Sequence, residues 1–253
     1  VMGLGTNRMN IYTVCQATQG LASEILDCGA EFAEKGVVIA HDSRNNSRVF
    51  AAEAANVLCA NGIKTYLFDD LRPTPELSFA VRYLGCARGI VITASHNPKE
   101  YNGYKVYGED GGQIPPQTAD KIIKYIDGTD IFDGVKLCDE PKINIIGEEV
   151  DSAYIKAVKE QSLGTKIPDD FKVVYTPLHG SGNIPVRRVL AETGVKNVFV
   201  VPEQEKPDGD FPTVKSPNPE NSEAFDIAIE YAKEQNADLV FGTDPDSDRI
   251  GVV

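Results

Sequence analysis

Tryptophan is absent from the 253 residues, and so is any long apolar stretch. The longest runs, Gly36–Ala40 and Asn197–Val201 among them, fall far short of the ~20 residues a membrane-spanning helix needs. Val1–Arg8 has neither a basic segment followed by an apolar one nor a small-residue cleavage site, so export is not expected. Cations are scarce: 25 Lys and Arg against 38 Asp and Glu give a net charge of −13. Nucleic acids and anionic membranes are held by clustered Lys and Arg, so neither is an expected partner, and a phosphorylated ligand would need local cations or a metal. Cys15, Cys28, Cys59, Cys86 and Cys138 form no C-x-x-C pair. Their odd number and irregular spacing fit reduced, mostly buried thiols in the cytoplasm, not a zinc site or a disulfide framework.

What is there is ordinary globular composition, 42% hydrophobic and 25% charged, at a length that allows two domains. Ile11, Val14, Thr18, Leu21, Ile25, Cys28 and Phe32 recur at three- and four-residue steps, which predicts a helix with one inward face. After Gly36 the pattern alternates. Val37–Ala40 reads as a strand, Ser47–Ala60 as a helix, Ile63–Phe68 as a strand, Pro75–Tyr83 as a helix and Gly89–Thr93 as a strand. Tyr104–Tyr107 reads as a short strand, and a helix runs from Pro115 through Ile126. The rhythm returns with a helix near Val150–Gln161, strand Lys172–Tyr175, helix Ile184–Glu192, strand Asn197–Val201, helix Glu220–Glu234 and strand Asp238–Gly242. Alternation of this kind predicts βαβ units and two consecutive α/β/α layered domains with mostly parallel mixed sheets, residues 1–145 and 146–253.

Each half ends its last clear strand in a polar loop: Thr93-Ala-Ser-His-Asn-Pro98 in one, Thr243-Asp-Pro-Asp-Ser-Asp-Arg249 in the other. Ligands of open parallel sheets bind beyond the carboxyl ends of strands, so chemistry is expected there. Ser95 lacks the G-x-S-x-G frame of a hydrolase nucleophile, and a solvated turn fixed by Pro98 accounts for the same residues. Asp244, Asp246 and Asp248 can converge on one hard cation. A calcium loop would need Gly where Arg249 stands and would follow a helix, whereas Mg²⁺ suits three carboxylates with an open position; a solvated acidic turn is the plain alternative. A phosphoaspartyl hydrolase would need Thr or Val after D-x-D, where Arg249 and Ser247 stand. No G-x-x-x-x-G-K-[ST] or G-x-G-x-x-G loop is present.

Thr93 through Lys105 (TASHNPKEYNGYK) together with Thr243–Arg249 (TDPDSDR) resembles the α-D-phosphohexomutase superfamily of phosphoglucomutases and phosphomannomutases, nearest its phosphoglucomutase and phosphopentomutase-like branch. His41-Asp-Ser-Arg44, Thr176-Pro-Leu-His-Gly-Ser-Gly182 and Pro207-Asp-Gly-Asp-Phe-Pro-Thr213 look like further segments of that family. The resemblance implies an isomerase of carbohydrate metabolism that exchanges phosphate between C1 and C6 of a hexose. It implies a phosphoserine at Ser95, with Ser95, Asp244, Asp246 and Asp248 around Mg²⁺. Lys105 would be the general acid or base, His96 its neighbour in catalysis, and Arg249 a phosphate ligand. Arg44 would hold a phosphate or the loop, or form a structural ion pair with Asp42 or another acid. A sugar 1,6-bisphosphate would be both intermediate and activator. Phosphopentomutase or phosphomannomutase activity, or a noncatalytic module binding metal and phosphate, are the alternatives. The family has four domains, so the resemblance also implies an N-terminal portion, with the second domain incomplete at its C-terminus, domains III and IV as partners, and weak turnover alone.

Overall fold

The computed structural model describes residues 1–253. The strands are β1 Met2–Leu4, β2 Val37–His41, β3 Thr65–Phe68, β4 Arg88–Ile92, β5 Tyr101–Tyr107, β6 Ile143–Ile146, β7 Lys172–Thr176, β8 Asn197–Val200, β9 Leu239–Thr243 and β10 Ile250–Val252. The helices are α1 Ile11–Asp27, α2 Ala30–Glu34, α3 Ser47–Ala60, α4 Thr74–Leu84, α5 Pro116–Asp127, α6 Glu148–Lys159, α7 Asn183–Glu192, α8 Pro202–Glu205 and α9 Asp226–Gln235, with one 3₁₀ turn at Ser222–Phe225. No helix is long and apolar enough to cross a membrane.

Two α/β/α layered domains result. The first sheet runs β1-β5-β4-β2-β3-β6, parallel through β4, β2, β3 and β6, with β5 and β1 added antiparallel. Because successive strand residues point to opposite faces, Val37 and Ile39 join α1, α3 and α5 around Leu21, Leu58 and Ile122, while Val38 and Ala40 join Leu77 of α4 and Val150 of α6. The second sheet runs β10-β9-β7-β8, with only β10 antiparallel. Val174 and Val240 pack beneath Ala228 of α9; Tyr175 and Phe241 pack beneath Val186 and Leu190 of α7. Mostly parallel mixed sheets, as the alternating pattern predicts, therefore hold in both halves.

The departures have local causes. The helix expected to continue to Phe32 stops at Asp27, because Gly29 takes a φ of 104° that α-helix cannot hold; α2 restarts it. The Asn10 side chain starts α1 by accepting the Thr13 N–H at 3.0 Å while Thr13 Oγ1 accepts the Asn10 N–H at 3.1 Å. The helix expected from Glu220 begins only after a turn in which Asn218 Oδ1 accepts the Glu220 N–H, and α-helical geometry starts at Asp226. Ile63 stays outside β3. β1, β6 and α8 escaped the pattern: β1 is three residues long with Gly3 at its centre, β6 is a half-exposed sheet edge, and α8 is four residues long. The thiols are less buried than expected, with Cys15 and Cys86 buried, Cys59 and Cys138 half-buried and Cys28 exposed; all five are free.

Helix α6 ties the halves together. Its Val150 enters the first core, and its outer side meets α7, where Arg188 reaches Glu148 at 3.0 Å and Ser152 Oγ at 2.7 Å.

Candidate active site

Strand β4 delivers the Thr93–Pro98 loop and strand β9 the Asp244–Arg249 loop, and the two loops meet. Ser95 and Ser247 at their tips have φ values of 54° and 53°, the left-handed region that costs a residue with a Cβ of order 1–3 kcal/mol unless its surroundings impose it. For Ser95 those surroundings are explicit. Buried Asp42 accepts from Thr93 Oγ1 at 2.7 Å and from Ser47 Oγ at 2.8 Å, and Thr93 Oγ1 in turn accepts the Ser95 N–H at 2.8 Å. Burial pushes the Asp42 carboxyl up, against the Arg44 charge and these hydrogen bonds.

Arg44 lies under the same loop with its side chain fully buried. Its guanidinium donates to the carbonyls of Ser95, Asn97, Pro98 and Tyr101, and Nε lies 3.2 Å from Asp42 Oδ2 without hydrogen-bond alignment. A fork of fixed donors can satisfy four carbonyls at once where a lysine could not. Phe211, from the second half, covers the guanidinium at 5.1 Å.

Ser95 Oγ donates to Asp244 Oδ2 at 2.7 Å, joining residues 149 positions apart. Asp244 Oδ1 accepts the N–H groups of Asp248 and Arg249 at 3.1 and 3.0 Å, which curls the acidic loop back on itself. Asp246 Oδ2 accepts from Thr74 Oγ1 at 2.9 Å and Lys105 Nζ at 3.0 Å, while its buried Oδ1 has no partner. Asp248 is exposed, with Oδ2 3.7 Å from Lys105 Nζ. One oxygen from each of the three aspartates lies within 4.8 Å of the others.

The charges in this space are strongly coupled. Burial, then the Asp246 carboxylate, pushes Asp244 up to about 8. Asp246 goes the other way: burial would raise it, but Lys105 beside it holds it below the ordinary range. Asp248 is raised by burial and by Asp246. Burial would lower Lys105, yet Asp246 and Asp248 leave it raised, so the lysine is a firm cation among these carboxylates. Three crowded carboxylates with one amine, an all-oxygen donor set and an orphaned buried Asp246 Oδ1 fit a hard divalent cation.

His96 sits beside the serine, its Nδ1 3.2 Å from Ser95 Oγ, and burial followed by Arg249 lowers its pKa. Arg249 is half-exposed and paired with Glu220 Oε1 at 2.7 Å. His179 stands apart from the two loops, its ring nitrogens 3.0 Å from Lys206 O and 2.9 Å from Thr213 Oγ1. Ser95, His96, Lys105, Asp244, Asp246, Asp248 and Arg249 are thus brought together where the two loops meet, and Arg44 lies beneath the serine loop.

Sequence reasoning gave no role to Thr74, Thr93, Ser181, Phe211 or Ser216, although Thr93, Ser181 and Phe211 fall within the segments that carry the resemblance. Ser181 fixes the acidic loop by donating N–H and Oγ to Pro245 O, each at 2.8 Å; next to it, a Cβ on Gly180 would collide with the Pro245 backbone. Ser216 Oγ donates to His96 O at 2.8 Å from the second half. A signal existed for Thr74: Pro73 and Pro75 bracket it at the carboxyl end of β3, on the edge where the other loops lie.

Both halves of the chain match known proteins. Residues 2–131 match the phosphoglucomutase/phosphomannomutase α/β/α domain I, and residues 152–253 match domain II of the same family. A phosphoglucomutase of Staphylococcus epidermidis is 43% identical over 99% of this chain and 46% of its own length. A Haemophilus influenzae protein named "Probable phosphomannomutase" is 40% identical over 96% of the chain and 50% of its own. The chain spans about half the length of the curated relatives it matches. A solved structure from Thermus thermophilus has a TM-score of 0.84 at 26% identity, covering 100% of this chain and 55% of that one. A phosphoglucomutase/phosphomannomutase family protein of Burkholderia thailandensis shares the fold, with a TM-score of 0.79 at 23% identity over 100% of this chain and 53% of its own. On the strength of two consecutive domain matches, the chain belongs to the phosphoglucomutase/phosphomannomutase family.

Proposed function

We propose that this chain carries the phosphoserine and metal loops of a cytoplasmic phosphohexomutase of the phosphoglucomutase type, which interconverts a hexose 1-phosphate and a hexose 6-phosphate through a sugar 1,6-bisphosphate. The reading divides the chain into a serine-loop domain, 1–145, and an acidic-loop domain, 146–253, which work with the other two of the family's four domains. The observation that carries it is the 2.7 Å contact between Ser95 Oγ and Asp244, made by the tips of two loops from different domains.

Ser95 is the phosphoryl carrier. Its left-handed backbone, imposed by Asp42, Thr93 and Arg44, turns the hydroxyl toward the acidic loop, so a transferable group there is aimed before any sugar arrives. Asp244, Asp246 and Asp248 would hold Mg²⁺, which would offset the charge of about −1.5 to −2 on the phosphoserine and of the phosphoryl group in transfer. Lys105, beside Asp246 and Asp248, would exchange a proton with the sugar hydroxyl. Its raised pKa makes it an acid in the resting site, and a base role follows only when the neighbouring aspartates are neutralised. His96 orients the serine oxygen from the other side. Arg249 exchanges Glu220 for a phosphate of the sugar, where a fork of donors suits phosphate oxygens. Both terminal nitrogens of Arg44 are committed to backbone carbonyls and its Nε lies beside Asp42, and we assign it to holding the loop.

The test is to incubate the chain with glucose 1,6-bisphosphate and Mg²⁺ and map the phosphate by mass spectrometry of its peptides. Phosphate on the Ser95 peptide, absent from Ser95→Ala, is the expected result; phosphate on an aspartate, or none, overturns the reading. Isomerisation rates with glucose, mannose and pentose phosphates, measured with the other two domains present, then separate phosphoglucomutase from phosphomannomutase and phosphopentomutase action.

A further inference from the structure

Thr74 makes no hydrogen bond with Ser95, yet it makes two to one residue of the other domain. It is buried at the first position of α4, after Pro73, whose φ of −68° and ψ of 151° hold the chain extended up to the helix. The leading N–H groups of a helix have no partner within it. Thr74 gives its N–H to Asp246 O at 2.8 Å and its hydroxyl to Asp246 Oδ2 at 2.9 Å. Main chain and side chain of a second-domain residue are therefore gripped by the end of a first-domain helix.

The grip has direction. With Lys105 Nζ at 3.0 Å, Asp246 Oδ2 has two donors, both from the first domain, and Oδ1 has none although it is buried. A carboxylate held this way cannot rotate to exchange its two oxygens without losing both bonds. We propose that Thr74 is a positioning residue that locks the Asp246 carboxylate so that Oδ1, and not Oδ2, is presented as the free metal-ligating oxygen. This rests on the reading of the acidic loop as a metal site. It adds that the site is assembled across the domain boundary, because its most buried free oxygen is aimed by the first domain.

Groups that orient a metal's ligands, without touching the metal, typically change affinity about 10- to 100-fold when removed. The test is calorimetric titration of the 253-residue chain with MnCl₂ alone. Thr74→Val keeps the shape and the N–H but removes the hydroxyl, and its Mn²⁺ affinity is expected to fall at least about tenfold. Thr74→Ser restores the hydroxyl and is expected to bind within about threefold of the parent. Thermal unfolding of all three without metal checks that the loss is not one of folding. A merely structural role predicts that Mn²⁺ affinity follows stability, with Ser and Val weakened alike, and that result overturns the proposal. So does a Thr74→Val chain that binds as the parent does. Asp244→Asn, titrated alongside, separates the two levels: if it abolishes binding while Thr74→Val leaves it unchanged, only the role of Thr74 fails. If the parent itself binds no Mn²⁺, the metal reading and this inference fall together.

Discussion

The first domain is built to hold itself and the second is built to be held. The faces of the first sheet carry clusters of 17 and 10 buried apolar residues, those of the second only 6 and 4, so hydrophobic burial stabilises the first far more. Helix α7 has no buried residue at all. The loops follow the same division. Each loop is braced from its own domain, the serine loop by Asp42, Arg44 and Thr93 and the acidic loop by Ser181, but the hold across the boundary differs: Ser216 takes only the backbone of His96, whereas Thr74 and Lys105 take the Asp246 carboxylate. A serine loop braced within one domain and a carboxylate held only when the domains are apposed is the arrangement expected where the geometry between two loops depends on domain position.

Removing Arg44 should break this contrast most. Arg44→Ala leaves Asp42 and four loop carbonyls without their cation, and loss of one partner of a buried pair costs about 3–5 kcal/mol. Urea unfolding should show that loss in the first domain. A change below about 1 kcal/mol would mean that the loop does not depend on its clamp.

The difference in cores is sharpened by a pair of truncations. Leu58→Ala, at a fully buried position of α3, should cost about 2–5 kcal/mol. Leu190→Ala, on the half-exposed α7, should cost about half as much, since less area is taken from water. Equal losses in urea would remove the claimed asymmetry.

The last effect concerns the seam and is read against pH. Glu76 of α4 is buried at the wall of a cavity of about 490 Å³ between the domains, together with Arg72, Asp151 and Arg188. Burial, then Asp151, pushes its carboxyl from the ordinary 4.5 up to about 9, against the charges of Arg72 and Arg188. The folded chain therefore keeps a proton that the unfolded chain releases. The associated stability is complete below the unfolded value and is lost as pH rises toward the folded one. The Tm of the parent should fall from about pH 5 to 9, and Glu76→Gln, which keeps a neutral polar group, should flatten that fall. Asp244, raised for a similar reason, leaves a residual slope. An unchanged slope in Glu76→Gln would contradict a protonated Glu76.

The sequence made some of this legible and hid the rest for definite reasons. Apolar strands Val37–His41 and Arg88–Ile92 announce themselves because both faces are buried, and their C-terminal loops mark the cleft. Asp244, Asp246 and Asp248 were readable as a cluster because they are neighbours in sequence. Thr74 and Ser181 were not, since their significance comes from contacts with Asp246 and Pro245 across 172 and 64 positions. Strand β6 stayed hidden because its burial does not alternate cleanly, and the interruption of α1 at Gly29 was masked by apolar spacing that continues beyond it.

The central claim is that one divalent ion is shared by the serine loop and the acidic loop. Anomalous diffraction from crystals of the chain grown with Mn²⁺ tests it most directly. The account predicts a single strong peak bounded by Asp244, Asp246 and Asp248 and facing Ser95 Oγ or its phosphate. A Mn²⁺ peak elsewhere, with these three aspartates bare, would contradict it.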